Sequence, residues 1–183
     1  MAIVFLQCIN LKAVEKDQIT AMIERHMNDV AIPGIAVGII KDGEEVYYDT
    51  KGVSGQGNKL NSKTPLFIGS VSKSLTALAV MQLVEDNLIG LDEPVEKYIP
   101  YFKVASPKLS EEITVRDLLN QTTGLARKDS ISSSDYDFTL KERVKELAEM
   151  QASGNRGEFN YLNDHYNILG LLIEEVTGSS YAE

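Results

Sequence analysis

The sequence predicts an α+β protein in which helices dominate. Three observations carry that prediction. At least five segments show helical periodicity or capping signals, one pair of apolar runs flanks an Asp-Gly turn, and one of the helices is apolar nearly all round. A single hairpin is marginal in water, and an all-apolar helix needs neighbours on every side. The hairpin is therefore expected to belong to a larger antiparallel sheet whose remaining strands lie outside this chain.

The elements follow in order. Met1–Ile9 is apolar but short, with no Lys or Arg ahead of it and no small-residue cleavage site behind it. It reads either as a buried first strand or helix turn, or as the stump of an export signal, so residues 1–13 are a signal remnant or an ordered extension. Cys8 within it is expected to be a small buried apolar residue. Residues 14–30 predict a helix, because Ile19, Met22, Ile23, Met27 and Val30 recur at three- and four-residue steps. His26 falls on that face and is expected to be a packed helix histidine, with no second metal ligand near it in sequence. Pro33-Gly34 stops the helix. Residues 35–40 and 45–48 then read as strands joined through Asp42-Gly43. Residues 52–61, rich in Gly, Ser and Asn, read as loop.

Residues 71–85 form the helix that is apolar nearly all round, which places it in the middle of a fold. Pro94 and Pro100 punctuate a connection over 91–102. Thr114 caps a short helix that ends before Gly124, and Thr139-Leu-Lys-Glu142 has capping-box form and opens a helix toward Gln151. The Ser-rich stretch 127–138 reads as a solvated loop, or as the rim of a cleft. Residues 164–176 predict a last helix that buries Tyr166, Leu169, Leu172, Ile173 and Val176 and stops at Gly178.

Composition excludes several functions. The chain has 183 residues, of which 18 are Lys or Arg and 27 Asp or Glu, giving a net charge of −9. Such a balance argues against nucleic acid and against anionic membranes as partners. No apolar run reaches the ~20 residues of a membrane span. One cysteine forms no intrachain disulfide and no Cys-based zinc site, and two histidines are too few for most histidine-rich metal sites.

Two motifs can carry chemistry. In Ser70-Val-Ser-Lys73 the serine and lysine lie one turn apart on one helix face, so the amine can approach the hydroxyl. At a helix amino terminus, partial burial and the helix dipole weaken the lysine's hold on its proton, so that it can help deprotonate the serine. The serine's own N–H can point at a developing oxyanion. In Tyr161-Leu-Asn163 a phenol beside a cation can serve as general base, and the amide can meet a carbonyl or hold the lysine. Tyr161 could equally pack in the core and Asn163 cap the following helix. With 14 Ser and 13 Lys, a chain of this length holds about one Ser-x-x-Lys by chance.

The surroundings are more specific. Phe67-Ile-Gly-Ser-Val-Ser-Lys73, followed by the apolar helix to Glu85 and by Leu91-Asp-Glu-Pro94, resembles the serine beta-lactamase and penicillin-binding-protein superfamily. Ile113-Thr-Val-Arg-Asp-Leu-Leu-Asn-Gln-Thr-Thr-Gly-Leu125, Gly157-Glu-Phe-Asn-Tyr-Leu-Asn163 and Pro33-Gly34-Ile-Ala-Val extend the likeness to about residue 15 through the last residue. It is most similar to the branch of class C beta-lactamases, D-Ala-D-Ala carboxypeptidases and related esterases. The resemblance implies that fold, an α/β sandwich, reduced here to a helical lobe plus the amino-terminal hairpin of an incomplete sheet, the whole being the amino-terminal part of one domain.

The resemblance also implies acyl transfer to Ser70 from an amide, β-lactam or ester, then hydrolysis. Lys73 is the activating partner, Tyr161 the proton shuttle, and Asn163 and Gly69 line the substrate. No metal or organic cofactor is implied, and the partner is a small-molecule or peptide substrate. Ser72 and Ser74 are expected to be plain helix residues, Gln121 and Thr122 structural, and His165 a surface residue or one just behind the site. The family's third motif, Lys or His followed one residue later by Gly, does not occur after Tyr161. The chain is therefore expected to lack one cleft wall and one oxyanion N–H, to be a poor enzyme alone, and to expose a sheet edge that invites self-association. The alternatives are a non-catalytic penicillin- or peptide-binding protein and a half-protein needing a carboxy-terminal partner. Family resemblance points to the cell envelope, without excluding the cytoplasm.

Overall fold

A computed structural model describes residues 16–125, 139–152 and 154–183. The expectations for the amino-terminal apolar segment, Cys8 and the Ser-rich loop 127–138 lie outside them. The chain divides into two compact units, Met1–Gly69 and Ser70–Glu183.

In the first unit, helix α1 (Lys16–Asp29) is followed by strands β1 (Gly34–Lys41) and β2 (Glu44–Gly52), which pair antiparallel. The turn places Asp42 and Gly43 at φ 54° and 84°, the type I′ geometry whose twist suits a hairpin. Pairing runs Gly34↔Gly52 to Ile39↔Tyr47. It then slips so that Ile40 faces Glu45, leaving Val46 as the extra residue of a bulge. Ile35, Val37 and Ile39 alternate onto one face and meet Ile19, Ile23, Met27 and Tyr47 in a small core. The helix stripe is narrower than the sequence predicts: Met22, Val30 and His26 are exposed. His26 is thus not a packed core histidine, because only the Ile19–Ile23–Met27 line faces the strands. The sheet has two strands among the described residues.

The second unit is helical. A 3₁₀ turn leads into α2 (Ser72–Glu85). A second 3₁₀ turn spans Val95–Lys97, followed by α3 (Pro107–Glu112), α4 (Val115–Asn120) and α5 (Leu140–Lys145). Helix α6 (Asn163–Thr177) ends at Gly178, whose φ of 70° is the left-handed stop expected there. Ile99, Phe102, Ile113, Leu118, Ile168 and Leu172 are fully buried at the centre.

Local chemistry sets the short helices. The Thr114 hydroxyl accepts from Asp117 N–H at 3.2 Å while the Asp117 carboxylate accepts from Thr114 N–H at 2.9 Å, a complete capping box. Thr139 and Glu142 repeat it at the start of α5. That helix tightens into 3₁₀ form at Glu146–Glu149 before reaching Gln151. Helix α3 is absent from the reading above, although Ser106-Pro107 is a cap followed by proline at the first helical position, both ordinary start signals.

Helix α2 departs most from expectation. Val80 is buried and Leu83 and Val84 pack on the core, but Leu75, Leu78 and Met81 are exposed. An all-apolar helix is buried all round only where layers lie on every side, and the described residues bury one side of it. Within α6 the buried set is Ile168–Leu172 together with Asp164 and His165, whereas Tyr166, Ile173 and Val176 are half-buried.

Candidate active site

The start of α2 and the start of α6 bring four of the five expected site residues together, across 91 residues of sequence. Ser70 Oγ lies 2.7 Å from the Tyr161 hydroxyl. Lys73 Nζ, one turn along, donates to Ser70 Oγ at 3.2 Å and to Asn163 Oδ1 at 2.7 Å. The ammonium also lies over the Tyr161 ring, 4.9 Å from its centroid, and 5.7 Å from that of Tyr166. Lys73 is thus held from three sides: a hydroxyl, an amide oxygen and two aromatic faces. Gly69 precedes Ser70 at φ 54°, a backbone that L side chains rarely adopt, with open space where a Cβ would stand. Ser72 belongs to the helix and Ser74 Oγ donates to Val71 O, so neither joins the cluster.

Asn163 is exposed and is the first residue of α6, but its side chain does not cap that helix; its Oδ1 accepts from Lys73 instead. Tyr161 is not a core residue either, being 47% exposed. Partial burial pushes its phenol up, but hydrogen bonds with Lys73 and Ser70 and the lysine's charge outweigh this and hold it below the ordinary tyrosine value. Of the groups that reach Ser70 Oγ, the phenol oxygen is the nearest, at 2.7 Å. Burial and the neighbouring Tyr161 push Tyr166 the other way, and its hydroxyl donates to Leu119 O at 3.2 Å.

Behind this open cluster lies a buried polar layer. His165 is fully buried, which rules out the surface position and fits the other expectation, a residue just behind the site. Its ring reaches Gln121 Oε1 through Nδ1 at 2.6 Å and Thr123 Oγ1 through Nε2 at 2.7 Å. Burial drives its pKa down to about 4, against the opposing pull of Asp164 and Asp117. Gln121 is buried and bonded to the Leu162 N–H and to His165, and Thr122 Oγ1 donates to Asp117. Beside His165, Asp164 takes a bidentate pair from Arg143, 2.7 Å on each arm, with both side chains buried. Nothing in a single sequence marks Arg143 as Asp164's partner, since 21 residues separate them. Gln121, Thr123 and His165 carry no motif of their own, although Gln121 and Thr123 lie in the Ile113–Leu125 block and His165 two residues beyond Tyr161-Leu-Asn163. The described residues contain no cluster of His, Cys, Asp or Glu able to hold a metal, and none of their helices is long and apolar enough to cross a membrane.

A serine hydroxyl touched by a lysine and a phenol thus stands at a helix start, open to solvent, and the fold around it is part of that of the beta-lactamases and transpeptidases. The chain belongs to the Beta-lactamase family, whose model matches residues 19–183. It is similar to protein flp of Staphylococcus aureus (strain COL), with 30% identity over 175 residues that cover 92% of this chain and 35% of that protein. It is also similar to a Staphylococcus aureus teichoic acid D-alanine hydrolase, with 36% identity over 129 residues that cover 70% of this chain and 30% of that protein. Among solved structures it is similar to the D-alanine carboxypeptidase AmpC from Burkholderia cenocepacia, with TM-score 0.72 and 28% identity over 91% of this chain and 44% of that one. The chain thus spans about a third of the length of the curated relatives it matches.

Proposed function

We propose that this chain carries the acylating centre of a serine hydrolase, with Ser70 as nucleophile toward an amide, β-lactam or ester. The observation that carries the reading is the double contact of Ser70 Oγ, 2.7 Å from a phenol with a depressed pKa and 3.2 Å from an ammonium. As the serine oxygen bonds to the substrate's carbonyl carbon, its proton passes to the Tyr161 oxygen. Lys73 stabilises the phenolate character that makes Tyr161 an acceptor. When the tetrahedral adduct collapses, Tyr161 gives that proton to the leaving amine or alkoxide, and the acyl group remains on Ser70. Water, deprotonated by the same phenolate, then attacks the acyl carbon, and as that adduct collapses Tyr161 returns the proton to Ser70 Oγ and the acid leaves. Asn163 holds Lys73 through its amide oxygen, which leaves its N–H₂ as a donor for a substrate carbonyl. Gly69, the residue before Ser70, is assigned to substrate binding on the family resemblance. D-Alanyl amides and esters are the favoured substrate class, supported by the names of the two similar hydrolases.

The test is covalent labelling by a fluorescent penicillin and by a fluorophosphonate, in this chain and in any longer polypeptide that contains it. Labelling is expected to map to Ser70, to vanish in Ser70→Ala, and to fall by roughly 10²-fold or more in Tyr161→Phe. Labelling that survives Ser70→Ala overturns the assignment.

A further inference from the structure

We infer that Gln121 and His165, neither of which touches Ser70, act together as the positioning device for Tyr161; the inference rests on the hydrolase reading for its consequence, though not for its geometry. Tyr161 lies between two backbone N–H groups that both end on Gln121. The Asn160 N–H donates to the Gln121 carbonyl at 2.8 Å, and the Leu162 N–H donates to Gln121 Oε1, also at 2.8 Å. One residue thus clamps the backbone on both sides of the phenol, and the second clamp point depends on where the amide side chain points.

Gln121 does not hold that pose by local preference. It ends α4 in the left-handed conformation, φ 62°, which non-glycine residues seldom adopt. Its side chain is 5% exposed, so water does not fix it. His165 does. Because the Leu162 N–H donates, the atom facing it is the amide oxygen. The same oxygen lies 2.6 Å from His165 Nδ1, so Nδ1 carries a proton and donates it. Nε2 then accepts from the Thr123 hydroxyl at 2.7 Å, and Thr123 Oγ1 in turn accepts from the Leu125 N–H at 3.2 Å. Leu125 O closes the circuit by accepting from Asn160 Nδ2 at 2.7 Å. Each donor in this ring meets one acceptor, and a single ring state satisfies it: neutral imidazole protonated on Nδ1. His165 stands at the start of α6, two residues after Asn163, so the device also ties the helix that presents Asn163 to the segment that presents Tyr161.

The experiment has one part that needs no variant and one that does. In the unmodified chain, ¹⁵N imidazole shifts at neutral pH are expected to report the neutral Nδ1–H tautomer of His165. The Nε2–H tautomer, or an imidazolium, overturns the inference at once. Gln121→Met and His165→Leu remove the acceptor and the donor. His165→Asn keeps a donor where Nδ1 stands. In the first two, the Tyr161 titration, followed by ¹³Cζ-tyrosine NMR, is expected to move back up toward that of free tyrosine. Fluorophosphonate labelling of Ser70 is expected to slow roughly tenfold to a hundredfold. His165→Asn is expected to restore most of both. Folded His165→Leu with an unchanged Tyr161 titration and unchanged labelling overturns the inference. If no chain is labelled, the unmodified one included, while Tyr161 responds as described, the positioning role stands and the hydrolase reading falls.

Discussion

The first turn of α6 carries three consecutive polar residues that meet opposite fates. Asn163 is exposed and bonds only forward, to Lys73, whereas Asp164 and His165 are buried and bond backward, to Arg143 and Gln121. The front cluster of Ser70, Lys73, Tyr161 and Asn163 consists of exposed or solvent-facing groups that water can solvate. The back layer of Gln121, Thr123, Arg143, Asp164 and His165 has no such recourse, and every buried polar side-chain atom among the described residues has a partner. The comparison teaches a division of labour. Polar groups at the front can trade their partners for water, and polar groups at the back are fixed because leaving any of them unpaired is costly.

The largest expected effect breaks the back layer at its charged pair. Arg143→Met leaves the Asp164 carboxylate buried with only Asn167 Nδ2 at 3.0 Å, and is expected to cost about 3–5 kcal/mol in urea unfolding. Arg143→Met with Asp164→Leu is expected to recover most of that loss, because the penalty is an uncompensated charge and not a lost contact. A single variant that unfolds like the parent would mean that the pair is solvated and that the back layer is no layer.

The next effect is a pH dependence. His165 titrates near 4 when folded against about 6.5 when unfolded, so between those values the unfolded chain binds the extra proton. Stability from the neutral buried ring is complete above pH 6.5 and is lost as pH falls toward 4, by about 3 kcal/mol in all. The measurement is the difference in unfolding free energy between the parent and His165→Asn at pH 7 and at pH 4.5. The difference is expected to shrink, or to reverse sign, on acidification, and a difference independent of pH would show that the ring is not the buried proton acceptor described.

How much of this was legible beforehand follows the same division. Ser70 and Lys73 are three apart at a helix start, and Tyr161 and Asn163 two apart, so each pair is grouped by local spacing, whereas the meeting of the two pairs across 90 and 91 residues is implied only by the family resemblance. The capping boxes at Thr114 and Thr139 and the turn at Asp42-Gly43 are local in the same way, and each forms where the residues indicate. The back layer is non-local. Gln121 meets His165 across 44 residues, and the pairing depends on a left-handed Gln121 backbone that no residue type there announces. The burial of His165 is likewise a property of what packs over it. The exposure of Leu75, Leu78 and Met81 on α2 has the same origin, since apolar composition states what a helix face prefers and not what covers it.

The smallest expected effect is at the front, and it is the sharpest check on the division. Ser70→Ala removes a hydroxyl that is exposed and whose partners, Tyr161 and Lys73, can turn to water. Surface substitutions of this kind change stability by about 0.5 kcal/mol or less in either direction. Alanine is also a better helix former than serine, which offsets part of the lost hydrogen bonds. Thermal and urea unfolding of Ser70→Ala are therefore expected to match the parent within that range, even though covalent labelling is abolished. A loss of about 2 kcal/mol or more would place Ser70 in the back layer's class, as a structural hydroxyl whose partners are not free to rehydrate. Near-neutral stability with complete loss of labelling is the signature of a residue kept for chemistry and not for the fold.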